Sequence, residues 1–427
     1  MKLRTYQREA VDSVINGVKR ANLSQLLILP TGSGKTVIFS TIARELGLKP
    51  FIVSHTCELK RQNMKTCRQV LKKDDFLSET IQWAFRQKNI EQIKSQEFDM
   101  LIVDEAHHAC SRSYNELIDH FKKEKKLVLG CTATPFRNDN QSIEEIFPYI
   151  AYSRKITDLI REGYLCDIKG FRVMTHTDLS KVSVVRGEYN LTELEHVINT
   201  ENRNDLICES YKKILKDKKT VVFCVSIFHS ERVAEHFRKK SYRCAAIHGE
   251  LSKEERERIL KEFRSGKIQI LTNCQLLTEG FDEPSIEALM MARPTKSASL
   301  YIQMIGRGLR LYPDKKKCIV VELTDNDHDI CSFPTMITGI NCDDELFDKF
   351  KSDDSLTDLD GKIKHEHFGK KIIIKEMNFI KKYSKNFTEK ATHSQKIIMK
   401  ELGINFIEPL SYEIAEIIIN NHLKRIT

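Results

Sequence analysis

The chain has 427 residues, of which 41% are hydrophobic and 30% are charged, and its formal net charge is +9. This length predicts two or three domains that each bury a core, and the composition excludes a mainly disordered chain. No apolar run approaches the roughly 20 residues that cross a bilayer, so we expect a cytoplasmic protein in a reducing compartment, with no membrane partner. The positive charge permits a polyanionic partner without establishing one.

The 12 cysteines are scattered and include no Cys-x-x-Cys pair. We therefore expect neither a zinc site nor a disulfide framework.

An amphipathic helical pattern opens the chain over about residues 10–19. Its simplest interpretation is a helix at the edge of the first domain. A second interpretation places Arg4, Tyr6 and Gln7 near a purine, because a glutamine amide can pair with the donor and acceptor edge of adenine.

An apolar run from Leu26 leads into the stretch Pro30-Thr31-Gly32-Ser33-Gly34-Lys35-Thr36. We expect a strand, then a turn whose backbone N–H groups hold phosphate oxygens, then a helix. Lys35 would supply a positive charge, and the Thr36 hydroxyl would reach a magnesium ion carried by the nucleotide. The first glycine of the strict phosphate-loop pattern is replaced by Leu29, and the alternative is a coincidental glycine turn.

Strand and helix patterns then alternate, with apolar strands at about residues 50–53, 98–103 and 127–130. This alternation predicts a mostly parallel sheet with helices on both faces, whose ligands bind at the carboxyl ends of the strands. A polar motif follows each of these strands: Ser54-His55-Thr56, Asp104-Glu105-Ala106-His107 and Thr132-Ala133-Thr134.

The alternation stops in a polar, irregular interval and resumes at residue 220. We predict a first domain at 1–165, a linker at 166–200, a second α/β domain at 201–335 and a tail at 336–427.

The tail holds an acidic stretch at 343–360 and a lysine-rich stretch at 361–390. Such runs are usually solvated, although the basic one could contact phosphates, and the tail is a possible docking site for a partner protein. Two short helical patterns at 394–402 and 412–423 predict a small, mainly helical module.

Asp104 and Glu105 follow a strand that we expect to lie beside the phosphate-loop strand. Asp104 would then hold the magnesium ion, and Glu105 would orient and deprotonate an attacking water. His107, His108 and Cys110 lie close by, but hard oxygen ligands suit magnesium and a fourth zinc ligand is missing.

Two arginines, Arg307 and Arg310, end a helical pattern in the second domain and are three residues apart, on one expected face. Supplied to a nucleotide held by the first domain, such guanidinium groups can raise a phosphoryl-transfer rate by about 10³ to 10⁵. The alternative is a pair of surface salt bridges, worth about 1 kcal/mol at most.

Together these motifs resemble the superfamily 2 helicases of the DEAH kind, and in detail the RadD-type helicases and their relatives of the XPB group. The likeness covers about residues 1–330. The matching stretches are Arg4-Thr5-Tyr6-Gln7, the phosphate loop, residues 54–59, 104–107 and 132–134, Thr278-Glu279-Gly280-Phe281-Asp282, and residues 303–310.

The resemblance implies two tandem RecA-like doubly wound parallel-sheet domains with ATP between them and a single strand of nucleic acid across both. It implies further nucleotide-binding residues, namely Arg4, Gln7, Gly280 and Asp282, and a catalytic role for Gln303. It implies strand contacts from Ser54, His55, Thr56, Ser226, His248 and Thr272, with Thr80 and Gln82 as weaker candidates. It also implies that His107, Thr132 and Thr134 couple hydrolysis to movement. RadD-type proteins carry a cysteine-rich zinc segment near the C-terminus, which this sequence lacks.

We therefore expect an ATP- and magnesium-dependent helicase or translocase that contacts the backbone of DNA. Two alternatives stay open: an RNA helicase, since backbone contacts dominate both classes, and the motor subunit of a restriction or defence complex.

Overall fold

The computed structural model describes residues 2–72, 74–133, 143–185, 187–277, 281, 283–326, 363–367 and 370–378. The chain divides into two compact units, Met1–Ile156 and Thr157–Thr427. No helix in the described part is both long and apolar enough to cross a membrane.

The first unit alternates strands and helices in the way that the sequence predicts. In chain order its elements are α1 (Thr5–Lys19), β1 (Ser24–Ile28), α2 (Lys35–Leu46), β2 (Pro50–Ser54), α3 (Cys57–Leu71), β3 (Leu77–Thr80), α4 (Ile81–Ala84), α5 (Gln87–Ser95), β4 (Met100–Asp104), α6 (Arg112–Lys123), β5 (Leu127–Thr132) and β6 (Tyr149–Ser153), with short 3₁₀ turns at Ala106–His108 and Ile143–Glu145.

These six strands form one parallel sheet in the order β3-β2-β4-β5-β1-β6. β2, β4 and β5 are buried along their whole length, as continuous apolar strands in a parallel sheet should be. Helices cover the sheet; α6, for example, buries Tyr114, Ile118 and Phe121 at the spacing of one helix face. β5 lies between β4 and β1, so the expectation that the Asp104 strand is the direct neighbour of the phosphate-loop strand was wrong.

The second unit contains the rest of the described elements. They are α7 (Ile156–Arg161, beginning at the boundary), β7 (Asp167–Asp178), β8 (Val184–Val185), β9 (Glu188–Tyr189), α8 (Leu191–Ile198), α9 (Glu201–Ser210, continued by a π turn at Tyr211–Leu215), β10 (Thr220–Phe223), α10 (Ile227–Lys239), β11 (Cys244–Ile247), α11 (Lys253–Arg264), β12 (Ile270–Asn273), β13 (Ala288–Met291), α12 (Ala298–Gly308), β14 (Lys317–Asn326), β15 (Ile363–His367) and β16 (Lys370–Asn378).

Its main sheet has the order β11-β12-β10-β13-β14-β7-β16-β15, parallel through β7 and antiparallel beyond it. The predicted linker at 166–200 is corrected here, because β7 pairs with β14 from Asp167 onward and α8 follows it within the same unit. Strand β7 is hard to see in the sequence because polar residues interrupt its apolar pattern.

The described part of the predicted tail is strand, since β15 and β16 add a hairpin to the edge of this sheet. The helical patterns predicted at 394–402 and 412–423 lie outside the described residues.

Candidate functional site

The phosphate loop has the expected strand, turn and helix, with β1 ending at Ile28 and α2 starting at Lys35. Gly32 and Gly34 have φ values of +85° and +82°, in the left-handed region that L side chains rarely adopt. A Cβ atom on Gly34 would also lie 2.7 Å from Gln7 Nε2. Both the backbone and the available space therefore require glycine at position 34.

The segment Arg4-Thr5-Tyr6-Gln7 holds this loop through hydrogen bonds. The Tyr6 hydroxyl donates to the Ser33 carbonyl at 2.6 Å, and Gln7 Nε2 donates to the same oxygen at 2.9 Å. The Arg4 N–H donates to Gln7 Oε1 at 3.0 Å. Fixing the Ser33 carbonyl orients the loop peptides, which is a role the sequence did not suggest. The pairing of Gln7 with adenine stays a prediction.

Two hydroxyl groups in the loop are suited to a polar ligand. Thr31 Oγ1 and Ser33 Oγ are buried, and neither has a hydrogen-bond partner in the described part of the chain. A buried polar atom without a hydrogen-bond partner lowers the stability of the folded chain by about 1–3 kcal/mol. Beside the N-terminus of a helix of 12 residues, such atoms fit a bound phosphate group.

The carboxylates Asp104 and Glu105 lie at the carboxyl end of β4 and are each 3% exposed. Glu105 has a φ of +53°, an unusual value for a non-glycine residue that is often associated with functional sites. The Lys35 amine lies 3.5 Å from Glu105 Oε1, and both side chains are largely buried. The structure thus brings together the cation of the loop and the predicted catalytic base, although β5 separates their strands.

Asn63 on α3 links these groups and was not predicted. Its Oδ1 accepts from the Thr36 hydroxyl at 2.9 Å, and its Nδ2 donates to Asp104 Oδ2 at 2.9 Å and to Ser54 Oγ at 3.1 Å. A sequence signal did exist, because Asn63 is a polar residue on the buried stripe of an amphipathic helix.

Four side chains beyond the carboxylates form a second cluster. His107 Nδ1 lies 3.2 Å from Thr132 Oγ1 and 3.6 Å from Glu105 Oε2. The His108 ring stacks on the His55 ring with centroids 4.3 Å apart. This cluster joins the ends of β2, β4 and β5. In the described residues, no group of three or more His, Cys, Asp or Glu side chains is arranged to hold a metal ion.

In the second unit, Gln303 and Arg307 lie on α12 and are 3% and 4% exposed. The Arg307 guanidinium donates to the Phe281 carbonyl at 2.9 Å. α12 ends at Gly308, so Arg310 lies beyond the helix and the expectation of one shared helix face was wrong. Burial lowers the pKa of the Arg310 guanidinium to about 10, which still leaves it charged at neutral pH.

The predicted strand contacts divide into two groups. The side chains of Ser54 and Thr272 are fully buried and bonded internally, Ser54 to Asn63 and Thr272 to Ser230, so they support the ends of strands. The contacts of these two residues with nucleic acid stay predictions.

The other strand candidates include three helix N-caps and two histidines. Thr56 and Ser226 are the N-caps of α3 and α10, and Thr80 is the N-cap of α4. His55 is partly exposed, whereas His248 is 5% exposed and lies 3.3 Å from Glu231. Their contacts with nucleic acid stay predictions. Thr134, Gly280 and Asp282 lie outside the described residues.

Two known protein families match parts of this chain. Residues 1–89 and 74–137 match the family described as type III restriction enzyme, res subunit. Residues 201–312 match the helicase conserved C-terminal domain. The chain belongs to the superfamily 2 helicases. The start of the second match at residue 201 coincides with the start of α9 in this helicase.

The helicase is similar to two yeast proteins that are named as ATP-dependent helicases. It is 31% identical to IRC3 of Saccharomyces cerevisiae over 380 residues, which cover 81% of this chain and 55% of that protein. It is 32% identical to the mitochondrial irc3 of Schizosaccharomyces pombe over 395 residues, which cover 85% and 64%. The chain thus spans a little over half to nearly two thirds of these relatives.

Among solved structures, the fold is similar to a fragment of an HsdR subunit of a type I restriction enzyme from Vibrio vulnificus YJ016. The TM-score is 0.59 at 22% identity, over 75% of this chain and 64% of that one. At this identity the likeness supports the fold alone.

Proposed function

We propose that this helicase hydrolyses ATP at the phosphate loop of its first unit and uses the energy to move along DNA. The observation that carries the proposal is the convergence of Lys35 and Thr36, at the start of α2, with Asp104 and Glu105, at the end of β4. These two segments follow β1 and β4, which are not neighbours in the sheet. A cation, a hydroxyl and two carboxylates at the N-terminus of a helix are the groups that phosphoryl transfer to water requires.

Each of these residues has a separate task in the proposal. The N–H groups of Thr31 to Gly34, with Lys35, bind the phosphates. Thr36 and Asp104 hold magnesium, which supplies positive charge to the phosphate oxygens. Glu105 orients the attacking water and accepts its proton. Glu105 is buried, at 3% exposure, and this burial would keep bulk water away from its carboxylate.

The second unit contributes charge in this proposal, through Arg307 and Arg310, with Gln303 as a further contact. A guanidinium group placed on the transferring phosphoryl group would account for about 4–7 kcal/mol of the barrier. Because Arg307 and Arg310 belong to the second unit and Lys35 belongs to the first, hydrolysis would depend on both units.

Coupling to the nucleic-acid strand would pass through the contact between His107 and Thr132, with Thr134 two residues further along the sequence. His107 contacts both Glu105 and Thr132, so a shift at the end of β5 would reach the catalytic carboxylate. Strand binding would involve His55, Thr56, Ser226 and His248, whose contacts to the phosphate backbone would be independent of base sequence.

DNA is the proposed strand because the matching family model is described as a subunit of type III restriction enzymes, which act on DNA. ATPase assays with single-stranded, duplex and forked DNA and with RNA of one sequence test this choice. We expect single-stranded DNA to stimulate turnover most and Lys35→Ala to remove the stimulation. Greater stimulation by RNA would contradict the DNA assignment, and full activity of Lys35→Ala would contradict the proposed site.

A motor subunit of a restriction complex is the second candidate, favoured by the same family description. The test is affinity purification of the tagged chain from its own cells. A stoichiometric nuclease that requires this chain for cleavage would support it, and a chain recovered alone and fully active would contradict it.

A further inference from the structure

We propose that Asn63 is a positioning residue that orients both side chains expected to hold magnesium. This inference rests on the proposed function, because it concerns the same site, and it assigns a role to a residue that the motifs do not include.

The orientation of the Asn63 amide follows from its partners. A carboxylate only accepts hydrogen bonds, so the amide nitrogen must face Asp104 Oδ2, which lies 2.9 Å from Nδ2. The amide oxygen then faces the Thr36 hydroxyl, at 2.9 Å from Oγ1. A third bond, from Nδ2 to Ser54 Oγ at 3.1 Å, prevents the amide from rotating.

The consequence for Thr36 is that its hydroxyl hydrogen is directed at Asn63 Oδ1. The lone pairs of Oγ1 are therefore directed away from Asn63, which is the orientation that a hydroxyl needs in order to coordinate a cation. Without the amide, the hydroxyl could rotate and present its hydrogen to the cation.

The consequence for Asp104 is that its carboxylate is held from two sides. Oδ2 accepts from Asn63, and Oδ1 accepts from the Glu105 N–H at 3.1 Å. A carboxylate oxygen has two lone pairs, so an oxygen that accepts a hydrogen bond can also bind a cation or a water molecule attached to it. One amide thus sets the geometry of a residue on α2 and a residue on β4 at the same time.

The burial of Asn63 favours this role over a purely structural one. Asn63 is 1% exposed and occupies the same helix face as Leu59, Cys67 and Val70, where an apolar residue would be the usual choice. Asparagine is also a weak helix former. Burying a polar side chain and placing asparagine in a helix both cost free energy. An asparagine at this position is therefore explained by a role that needs both its donor and its acceptor.

The test uses Asn63→Leu, which keeps the branched shape but removes the donor and acceptor, and Asn63→Ser as a second, smaller variant should the first fail to fold. Binding of a fluorescent, non-hydrolysable ATP analogue to the full chain is titrated with Mg²⁺. We expect either variant to raise the Mg²⁺ concentration for half-maximal tight binding by about 10-fold or more, as other residues that orient metal ligands do, while affinity without Mg²⁺ changes less than 2-fold.

Asn89 provides the matched control. It is also a buried asparagine in the first unit, at 5% exposure, and its Nδ2 donates to the Trp83 carbonyl at 2.8 Å, within the α4 and α5 region. Asn89→Leu should lower the melting temperature without moving the Mg²⁺ titration.

The outcomes separate the two proposals. A wild-type chain whose analogue binding does not depend on Mg²⁺ would overturn the proposed function and this inference together. Mg²⁺-dependent binding in the wild type with an unchanged midpoint in the folded Asn63 variants would overturn this inference alone, as would an equal shift in Asn89→Leu.

Discussion

Single residues in this molecule carry conformations and environments that only the surrounding fold explains. Glu105 has a left-handed backbone at the end of β4, and the turn that follows places its carboxylate 3.5 Å from the Lys35 amine. His229 on α10 is a second case, since its ring is fully buried and its Nδ1 accepts from the Val225 N–H at 3.4 Å. That bond requires the neutral imidazole.

The burial of His229 predicts a pH-dependent stability. Burial, together with Arg203 and Arg232, lowers the pKa of His229 from 6.5 to about 3. The unfolded chain therefore binds a proton below about pH 6.5 that the folded chain does not, so stability falls as pH falls through this window. From pH 6.5 to pH 5 we expect this group to remove about 1.5 kcal/mol.

His229→Gln should abolish that part of the pH dependence. Urea unfolding followed by circular dichroism at pH 6.5 and pH 5 measures it. His196→Gln, which changes an exposed histidine on α8, should keep the wild-type difference between the two pH values. If His229→Gln lost as much stability between pH 6.5 and pH 5 as the wild type, the His229 ring would titrate equally in the folded and unfolded chain, which would contradict this prediction.

At the scale of elements, the arginine segment of the second unit is held by a cap at the C-terminus of α12. Lys315 Nζ donates to the carbonyls of Gly308, Arg310 and Pro284 at 2.6, 3.0 and 3.1 Å. A lysine at a helix C-terminus also interacts favourably with the helix dipole. α12 itself packs so closely on the sheet that a Cβ atom on Gly308 would lie 2.4 Å from Cys318 Sγ.

Lys315→Met should destabilise the chain by about 1–3 kcal/mol, because it leaves three carbonyl groups without their charged donor. It should also slow ATP turnover, since Arg307 and Arg310 flank the capped end. Thermal unfolding and ATPase rates measure the two effects. Lys316→Met, at the exposed neighbouring position, should change neither; equal effects of the two variants would exclude a specific cap.

Some parts of the structure could be predicted from the sequence and others could not. The phosphate loop was predictable because its glycines, lysine and threonine act through local backbone geometry. Strand β7 was not, because its place beside β14 depends on pairing with residues about 150 positions later. Asn63 was missed for the same reason: its three partners come from α2, β2 and β4, and no spacing in the sequence indicates that they meet.

For the whole molecule, the proposed activity joins two units whose functional residues are far apart in the sequence. Lys35 and Glu105 lie in the first unit, and Arg307 and Arg310 lie in the second. The net charge of +9 is consistent with a polyanionic partner held through its phosphates.

Salt should therefore weaken the response to DNA more than it weakens basal hydrolysis. If about four phosphates are contacted on single-stranded DNA, raising salt from 50 to 200 mM should increase the DNA concentration for half-maximal stimulation about 50-fold. An ATPase titration with one oligonucleotide at several salt concentrations measures the slope. A midpoint that does not move with salt would contradict backbone contacts as the main source of affinity.

The most direct test of the central claim is the rate of ATP hydrolysis by Glu105→Gln at saturating ATP and single-stranded DNA, measured beside its affinity for ATP. Glutamine keeps the shape but cannot accept the proton of the attacking water. We predict a turnover at least about 100-fold below wild type with ATP binding retained. Wild-type, DNA-stimulated turnover in this variant would contradict the proposed site.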